Sequence, residues 1–196
     1  VISMKPDYAN PYYNMANILK VQDKLDEAVE AYKKSIELKP DYHKAYGNMA
    51  TTLQKQGKLE EAIEAYKSSI FIMPNYGETY SNMGNALQQL GKLDEAIEAH
   101  KKCISLNPNY AMAYNNMGNV LQEQGKLNEA IMAYEKAIFI NPNYADAYCH
   151  MGVAFKDQGK LNEALKTYEK AILINPNYAD AYCNMGVALK NLYKFD

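Results

Sequence analysis

The sequence has little of what disulfide-rich, membrane-spanning or nucleic-acid-binding proteins require. Its three cysteines are too few, and an odd number, for a disulfide scaffold, which favours a reducing, cytoplasmic location. Its formal net charge of -2 gives no positive field to attract nucleic acid or an anionic membrane. No apolar run approaches the roughly 18 residues of a membrane-spanning helix. We therefore expect a soluble chain that binds neither nucleic acid nor membranes.

The side chains that usually hold metals or carry catalysis are not grouped in the sequence. His43, His100 and His150 form no i, i+4 pair, and no Cys-x-x-Cys occurs, so we expect no zinc site. Gly-Lys pairs recur, as at Gly57, but no serine or threonine follows the lysine, as a phosphate-binding loop would require. These observations predict no metal, no cofactor and no enzymatic activity.

What the sequence does have is a pattern that returns every 34 residues. A fixed period of about 20 to 50 residues is typical of proteins that stack one supersecondary unit many times. One column of this pattern is proline: Pro6, Pro40, Pro74, Pro108, Pro142 and Pro176.

The first half of each repeat predicts an amphipathic helix, which we call helix A. In the second repeat an aromatic, a large, a small and a large residue occur at i, i+3, i+4 and i+7, namely Tyr46, Met49, Ala50 and Leu53. These positions share one face of a helix. Gly57 follows where a residue of left-handed conformation would end the helix.

The second half predicts another amphipathic helix, helix B. Ala62, Tyr66 and Ser69 mark its apolar stripe, and Glu60 and Glu61 lie in its first turn, where acidic side chains favour the helix dipole. Each repeat is therefore predicted to be a helical hairpin in which small residues allow close approach of the two helices.

The links between helices carry two further predictions. In the first repeat Asp23 replaces the turn glycine, so we expect it to accept a positive φ or to reshape the turn. The residues after the prolines are good helix N-caps, and we predict that they cap the A helices: Asp41, Asn75, Asn109, Asn143 and Asn177.

This 34-residue pattern of aromatic, small, glycine, alanine and proline positions resembles the tetratricopeptide repeat (TPR) family. The resemblance implies an all-α, right-handed superhelical solenoid of antiparallel helix pairs. We expect one TPR domain over residues 1–196, and because the chain begins with Val1, we expect it to be a segment of a longer protein. The predicted full repeats are 9–42, 43–76, 77–110, 111–144 and 145–178, with partial repeats at 1–8 and 179–196.

In this family the A helices line the concave wall, so the resemblance implies which residues would meet a ligand. Two positions of helix A that lie off the buried stripe are mostly asparagine, although asparagine is a poor residue for a helix interior. A carboxamide both donates and accepts, which suits the backbone of an extended peptide. The predicted peptide-binding residues are Asn14, Asn17, Asn48, Asn82, Asn85, Asn116, Asn119, His150 and Asn184.

The amides have two alternative origins that the sequence leaves open: they bond neighbouring A helices, or repeat duplication copied a neutral residue. Apolar anchors on the same wall are also predicted, because backbone hydrogen bonds alone contribute little net affinity. These predicted anchors are Tyr13, Met112, Cys149, Val153, Cys183 and Val187.

The favoured function is a scaffold that binds an extended peptide or protein segment in the concave groove. The segments AYNNMGNVLQ and ADAYCNMGVALK also resemble the repeat region of O-linked N-acetylglucosamine transferases, so a substrate-recognition arm of such an enzyme is one alternative. No part of the 196 residues resembles the glycosyltransferase domain itself. A second alternative is end-to-end self-assembly through apolar end faces that include Tyr182 and Phe195.

Overall fold

A computed structural model describes residues 8–193, and this part of the chain is all helical. The chain divides into two compact units, residues 1–106 and residues 107–196. Of the predicted partial repeat 1–8, all but Tyr8 lies outside the described residues, as does Phe195. The helices of the first unit are α1 Ala9–Val21, α2 Leu25–Leu38, α3 His43–Lys55, α4 Leu59–Ile72, α5 Gly77–Gln89 and α6 Leu93–Leu106.

The helices of the second unit continue the same alternation of A and B helices, with odd numbers for A and even numbers for B. They are α7 Ala111–Glu123, α8 Leu127–Ile140, α9 Ala145–Asp157, α10 Leu161–Ile174 and α11 Ala179–Leu192.

Each A helix from α1 to α9 packs most extensively on the B helix of its own repeat, and within a unit each B helix also packs on the next A helix. This arrangement confirms the predicted all-α solenoid of antiparallel helix pairs. Neighbouring A helices also touch, α1 with α3 and α3 with α5 in unit 1, and α7 with α9 and α9 with α11 in unit 2. Among residues 8–193, the B helices within a unit make no such contact with one another. Each row of helices therefore curves toward its A helices.

A small residue in helix A allows the ring of helix B to lie against its backbone. A Cβ atom added to Gly118 would lie 2.5 Å from the Tyr134 ring, and one added to Gly152 would lie equally close to the Tyr168 ring, 2.5 Å. Both rings are completely buried. The apolar stripes of the sequence thus become one seam per helix pair, and the opposite side of helix A is left for other contacts.

The turn from helix A to helix B uses a left-handed residue, as predicted. Gly57, Gly91 and Gly159 have φ values of 76°, 77° and 76°. Asp23 has φ of 62°, so the non-glycine residue accepts the positive φ, which confirms one of the two outcomes expected for it. Tyr193 stands at the corresponding place after α11, but its φ is -77° and α11 continues through Leu192.

The turn from helix B to helix A differs from the prediction. The predicted N-caps Asp41, Asn75, Asn109, Asn143 and Asn177 all lie one residue too early, because the N-cap of each A helix that follows is a tyrosine with no side-chain capping bond.

The reason for this difference is a β-turn that contains the proline and the Asp or Asn at its two central positions. In the turn before α3, the backbone N–H of Tyr42 donates to the carbonyl of Lys39 at 3.1 Å. Proline and then Asp or Asn at these positions are typical of such turns. In the turn before α9, the side chain of Asn141 also accepts from the backbone N–H of Asn143 at 3.1 Å.

Candidate functional site

The predicted site residues all lie on A helices, on the side where neighbouring A helices meet. We call the surface formed by these side chains and by the residues just before them the A-helix face of each unit. Asn14, Asn17, Asn48, Asn82 and Asn85 belong to unit 1, and Asn116, Asn119, His150 and Asn184 to unit 2. Asn14 is exposed and the other eight are half-buried. The face is therefore polar and partly open to solvent in both units.

In unit 1 two of these amides are bonded inside the protein. The Nδ2 of Asn48 donates to the hydroxyl of Tyr13 at 2.9 Å and to Oδ1 of Asn17 at 3.0 Å. The same Oδ1 of Asn17 accepts from the hydroxyl of Tyr32 at 2.6 Å. These bonds join α1 to α3 and α1 to α2. For Asn17 and Asn48, the alternative that amides bond neighbouring helices is thus correct.

Unit 2 has a related set of bonds. The Nδ2 of Asn184 lies 3.9 Å from the sulfur of Cys149, to which it donates, and the hydroxyl of Tyr134 donates to Oδ1 of Asn119 at 2.9 Å. His150 Nδ1 lies 2.9 Å from Oδ1 of Asn115, an asparagine outside the predicted set. Burial lowers the pKa of His150, which favours its neutral ring.

The contacts between A helices share one register that the sequence prediction missed. The pairs 13 with 48, 115 with 150, and 149 with 184 are each 35 residues apart. The partner is the residue immediately before the predicted column, in the preceding repeat. This column was visible in the sequence as Tyr13, Gly47, Ser81, Asn115, Cys149 and Cys183, but only the rotation of each helix in the packed structure brings it opposite the next amide.

Four predicted amides make no side-chain hydrogen bond within residues 8–193, and we call them the unpaired amides: Asn14, Asn82, Asn85 and Asn116. For Asn82 the register gives a reason, since the residue 35 positions earlier is Gly47, which has no side chain to offer. The unpaired amides keep both a donor and an acceptor available on the A-helix face.

A small concavity of about 190 Å³ lies on the A-helix face of unit 2. The sequence prediction included most of its lining but missed Tyr178 and Asp180. Burial raises the pKa of the Tyr178 hydroxyl, and the nearby Asp146 raises it further, so the group stays a neutral donor. The concavity is lined by Cys149, His150, Val153, Tyr178, Asp180, Cys183 and Asn184.

The predicted apolar anchors divide by exposure. Met112 and Val187 are 48% and 44% exposed, and Cys183 is also exposed, so their surfaces are available to a ligand. Cys149, which was also predicted to be an apolar anchor, is only 2% exposed and offers almost no surface to a ligand. Its side chain extends from α9 toward Asn184 of α11, and burial there raises the pKa of its thiol. Tyr13 is half-buried and its ring lies 4.9 Å from that of Tyr42.

Neither a cluster of metal ligands nor a membrane-spanning helix occurs in the described part of the chain. Residues 8–193 contain no group of three or more His, Cys, Asp and Glu side chains that could hold a metal ion. Over the same residues, no helix combines the length and the hydropathy needed to cross a bilayer.

Comparison with protein families identifies the repeat along the described chain. A family model described as TPR repeat matches residues 52–91, 84–125, 118–159 and 154–192. Two further models, both described as tetratricopeptide repeat, match residues 9–42 and 31–64. No curated protein sequence matches the chain at a significant level.

Solved structures with the same fold include MamA, which is 30% identical over 84% of this chain and 96% of its own, with a TM-score of 0.75. YrrB, described as a TPR protein with an unusual peptide-binding site, is 26% identical over 92% of this chain and 93% of its own, with a TM-score of 0.71. TTC0263 of Thermus thermophilus, at 21% identity, 92% and 98% coverage and a TM-score of 0.73, shares the fold. The chain therefore belongs to the tetratricopeptide repeat family.

Proposed function

We propose that this chain is a protein-interaction scaffold that binds an extended peptide or protein segment along its A-helix faces. The observation that carries the proposal is the set of unpaired amides beside amides that are already bonded. Asparagine is unfavourable in the interior of a helix, and a half-exposed carboxamide without a hydrogen-bond partner gives the fold nothing in return. Binding of a ligand to the carboxamide would explain why asparagine stands there. YrrB, a relative with a peptide-binding site, supports the same conclusion. Proteins of this family are typically non-enzymatic scaffolds.

The two groups of amides have different roles in this proposal. Asn17 and Asn48 hold α1, α2 and α3 in register through their bonds. Asn82 and Asn85, one helical turn apart on α5, then face the ligand with donors and acceptors that match a peptide backbone. Recognition through the backbone makes the contact tolerant of the ligand's side-chain sequence.

Hydrogen bonds from the amides are too weak to bind a peptide without other contacts. Each amide to backbone hydrogen bond contributes a net stabilisation of about 0.5 to 1.5 kcal/mol, whereas association costs about 4 to 15 kcal/mol. Exposed apolar side chains must supply the difference, and in unit 2 Met112, Cys183 and Val187 are placed to do so. We expect affinities on the order of micromolar.

An array of unstructured peptides probed with the full chain tests this proposal. For peptides that bind unit 1, the double substitution Asn82→Ala and Asn85→Ala removes two carboxamides without breaking an internal bond. We expect affinity to fall about tenfold or more, with circular dichroism unchanged. Asn162→Ala, on the exposed side of α10, is the matched control. Equal affinity of the double variant and the control would reject the role of the amides.

A second candidate function is the substrate-recognition arm of an O-linked N-acetylglucosamine transferase. The support is the resemblance of segment 113–122, which contains the predicted site residues Asn116 and Asn119 and the buried Asn115 that pairs with His150. Sequencing the gene on both sides of residues 1–196 separates the two candidates. A neighbouring glycosyltransferase domain would support the arm, and a continuous reading frame without one would reject it.

A further inference from the structure

The space between α1 and α3 on the A-helix face is filled by the side chain of Tyr13. The centroid of its ring lies 4.9 Å from that of Tyr42, and its hydroxyl accepts from Nδ2 of Asn48 at 2.9 Å. Tyr42 follows Tyr13 by 29 residues, and Asn48 follows it by 35. A filling residue, a tyrosine 29 positions later and a polar side chain 35 positions later thus form one group of contacts, which we call a triad.

The same register recurs in unit 2. Between α9 and α11 the thiol of Cys149 contacts the hydroxyl of Tyr178, 29 residues later, and lies 3.9 Å from Nδ2 of Asn184, 35 residues later. Between α7 and α9, Asn115 pairs with His150, 35 residues later. Both filling residues of unit 2 are buried, at 2% and 3% exposure. In these contacts between A helices, the chain itself therefore supplies the side chain that fills the space.

The triad between α3 and α5 has no filling side chain, because its residues are Gly47, Tyr76 and Asn82. Beyond α3 itself, a Cβ atom added to Gly47 would have a single described atom within 4 Å, the Oγ of Ser69 on α4 at 3.5 Å, and none on α5. Asn82 is one of the unpaired amides, and Tyr76 is 41% exposed, whereas Tyr42 is half-buried. We call the space bounded by Gly47, Tyr76 and Asn82 the Gly47 gap.

We propose that the Gly47 gap receives a tyrosine side chain of the extended peptide that binds unit 1. This inference rests on the proposed function and adds the ligand residue that unit 1 selects. Because Gly47 has no side chain, the backbone of a ligand can approach α3 closely. A ring that extends from this backbone toward α5 would then take the place that Tyr13 takes one repeat earlier.

The walls of the Gly47 gap match both parts of a tyrosine side chain. The ring of Tyr76 offers an aromatic surface, as Tyr42 does to Tyr13. Nδ2 of Asn82 corresponds to the Nδ2 of Asn48 that donates to a tyrosine hydroxyl. An amide has two N–H hydrogens and an acceptor oxygen, so this bond leaves the rest of Asn82 for the peptide backbone. Phenylalanine would keep the ring contact and lose the hydrogen bond, and alanine would lose both.

A positional scan of nine-residue peptides tests the proposal. The starting peptides are those from the array of unstructured peptides whose binding to the full chain falls with Asn85→Ala, and each position is replaced in turn by tyrosine, phenylalanine and alanine. We expect one position at which tyrosine binds about threefold to tenfold more tightly than phenylalanine, and phenylalanine more tightly than alanine.

Two substitutions on α5 separate this proposal from peptide binding in general. Asn82→Ala should reduce the affinity ratio of the tyrosine peptide to the phenylalanine peptide to about one, because it removes the donor to the hydroxyl. Asn85→Ala is the matched control: it removes an unpaired amide one helical turn away, so it should weaken both peptides equally and leave their ratio unchanged.

A substitution on α3 closes the gap. Gly47→Tyr places on α3 the side chain that α1 has at Tyr13, and it should weaken the tyrosine and phenylalanine peptides at least tenfold. The variant should also unfold at a higher urea concentration than the wild type, since glycine is unfavourable inside a helix. Gly47→Ala is the control, because its Cβ makes only the ordinary 3.5 Å contact with Ser69 and leaves the gap open, so the preference for tyrosine should persist.

The outcomes that would overturn the proposal are distinct from those that would reject the scaffold. Peptides that bind and depend on Asn85, but show no position that prefers tyrosine, would overturn the Gly47 gap and leave the scaffold intact. The same holds for a tyrosine preference that Asn82→Ala leaves unchanged, or for tyrosine peptides that bind a folded Gly47→Tyr variant as tightly as the wild type. An array without any peptide that binds unit 1 would reject both proposals.

Discussion

At the scale of single residues, tyrosines at the same position of helix B differ in whether their hydroxyl group has a hydrogen-bond partner. The hydroxyl of Tyr134 is satisfied by two amides, whereas that of Tyr168 is buried without a partner among the described residues. Burial raises the pKa of both groups, so both stay protonated and each must donate or remain unsatisfied. The difference comes from the replacement of Asn119 and Gln122 by Val153 and Lys156 one repeat later.

Replacing each of these tyrosines by phenylalanine should therefore give different results. Tyr134→Phe removes a donor and leaves the amides to find other partners, and we expect a loss of about 1 kcal/mol in the free energy of unfolding. Tyr168→Phe removes an unsatisfied group, and we expect no loss, or a gain of up to about 1 kcal/mol. Urea unfolding followed by circular dichroism measures both. Equal destabilisation by the two substitutions would contradict the assignment of these hydrogen bonds.

His100 occupies the ring position in the third repeat and gives a pH-dependent prediction. Burial lowers its pKa from 6.5 to about 4, and neither ring nitrogen has a partner among the described residues. Well above pH 6.5 the ring is neutral in both states and contributes no pH dependence. Between pH 6.5 and 4 the unfolded chain takes up a proton that the folded chain excludes. The free energy of unfolding therefore decreases as the pH is lowered through that window.

The measurement compares urea unfolding of the wild type and His100→Phe at several pH values. We expect the wild type to lose up to about 1.4 kcal/mol per pH unit more than the variant below pH 6.5. The comparison isolates His100, because burial lowers the pKa of His43 and His150 in both proteins. Parallel pH profiles would show that His100 is not buried in its neutral form.

At the scale of elements, the turn between α1 and α2 departs from its relatives in the chain. Asp23 has a φ of 62° where the other turns have glycine, and its carboxylate lies 2.6 Å from Nζ of Lys55. Both side chains are mostly exposed, so this ion pair contributes little. The backbone conformation is the larger effect, because a left-handed residue with a Cβ atom is strained.

Asp23→Gly should therefore stabilise the chain by about 0.5 to 1 kcal/mol despite the loss of the ion pair. Asp23→Asn is the matched control, since asparagine tolerates the same φ but carries no charge, and we expect a change of less than about 0.5 kcal/mol. Thermal unfolding of the three proteins ranks them. If Asp23→Gly were no more stable than Asp23→Asn, which also lacks the ion pair, backbone strain at this position would be rejected as the larger effect.

The elements also show what the sequence could and could not predict. Periodicity and the turn glycines were enough to predict the paired helices and to limit Asp23 to two outcomes, a positive φ or a reshaped turn, because both features are set by neighbours within a few residues. The caps were predicted wrongly, because Pro-Asp and Pro-Asn fit a β-turn as well as a helix start. The division into bonded and unpaired amides was out of reach, since it depends on helix rotation, which places Asn48 opposite Tyr13.

At the scale of the whole molecule, the two compact units carry versions of one surface. Unit 1 combines bonded amides on α1 and α3 with the unpaired Asn82 and Asn85 on α5. Unit 2 has the unpaired Asn116 and a concavity of about 190 Å³ that includes His150 and Asn184. Bonded and unpaired amides lie side by side on this surface, and the proposed ligand would form hydrogen bonds to the unpaired amides through its peptide backbone.

The central claim is that the unpaired amides meet the ligand directly. The most direct measurement is a two-dimensional nitrogen–proton NMR titration of the side-chain amides with a peptide selected on the array. We predict that the Nδ2 resonances of Asn82 and Asn85, or of Asn116 for a ligand of unit 2, shift most, while that of Asn48 shifts little because it is already bonded to Tyr13 and Asn17. Binding that left the resonances of all the unpaired amides unmoved would contradict the claim.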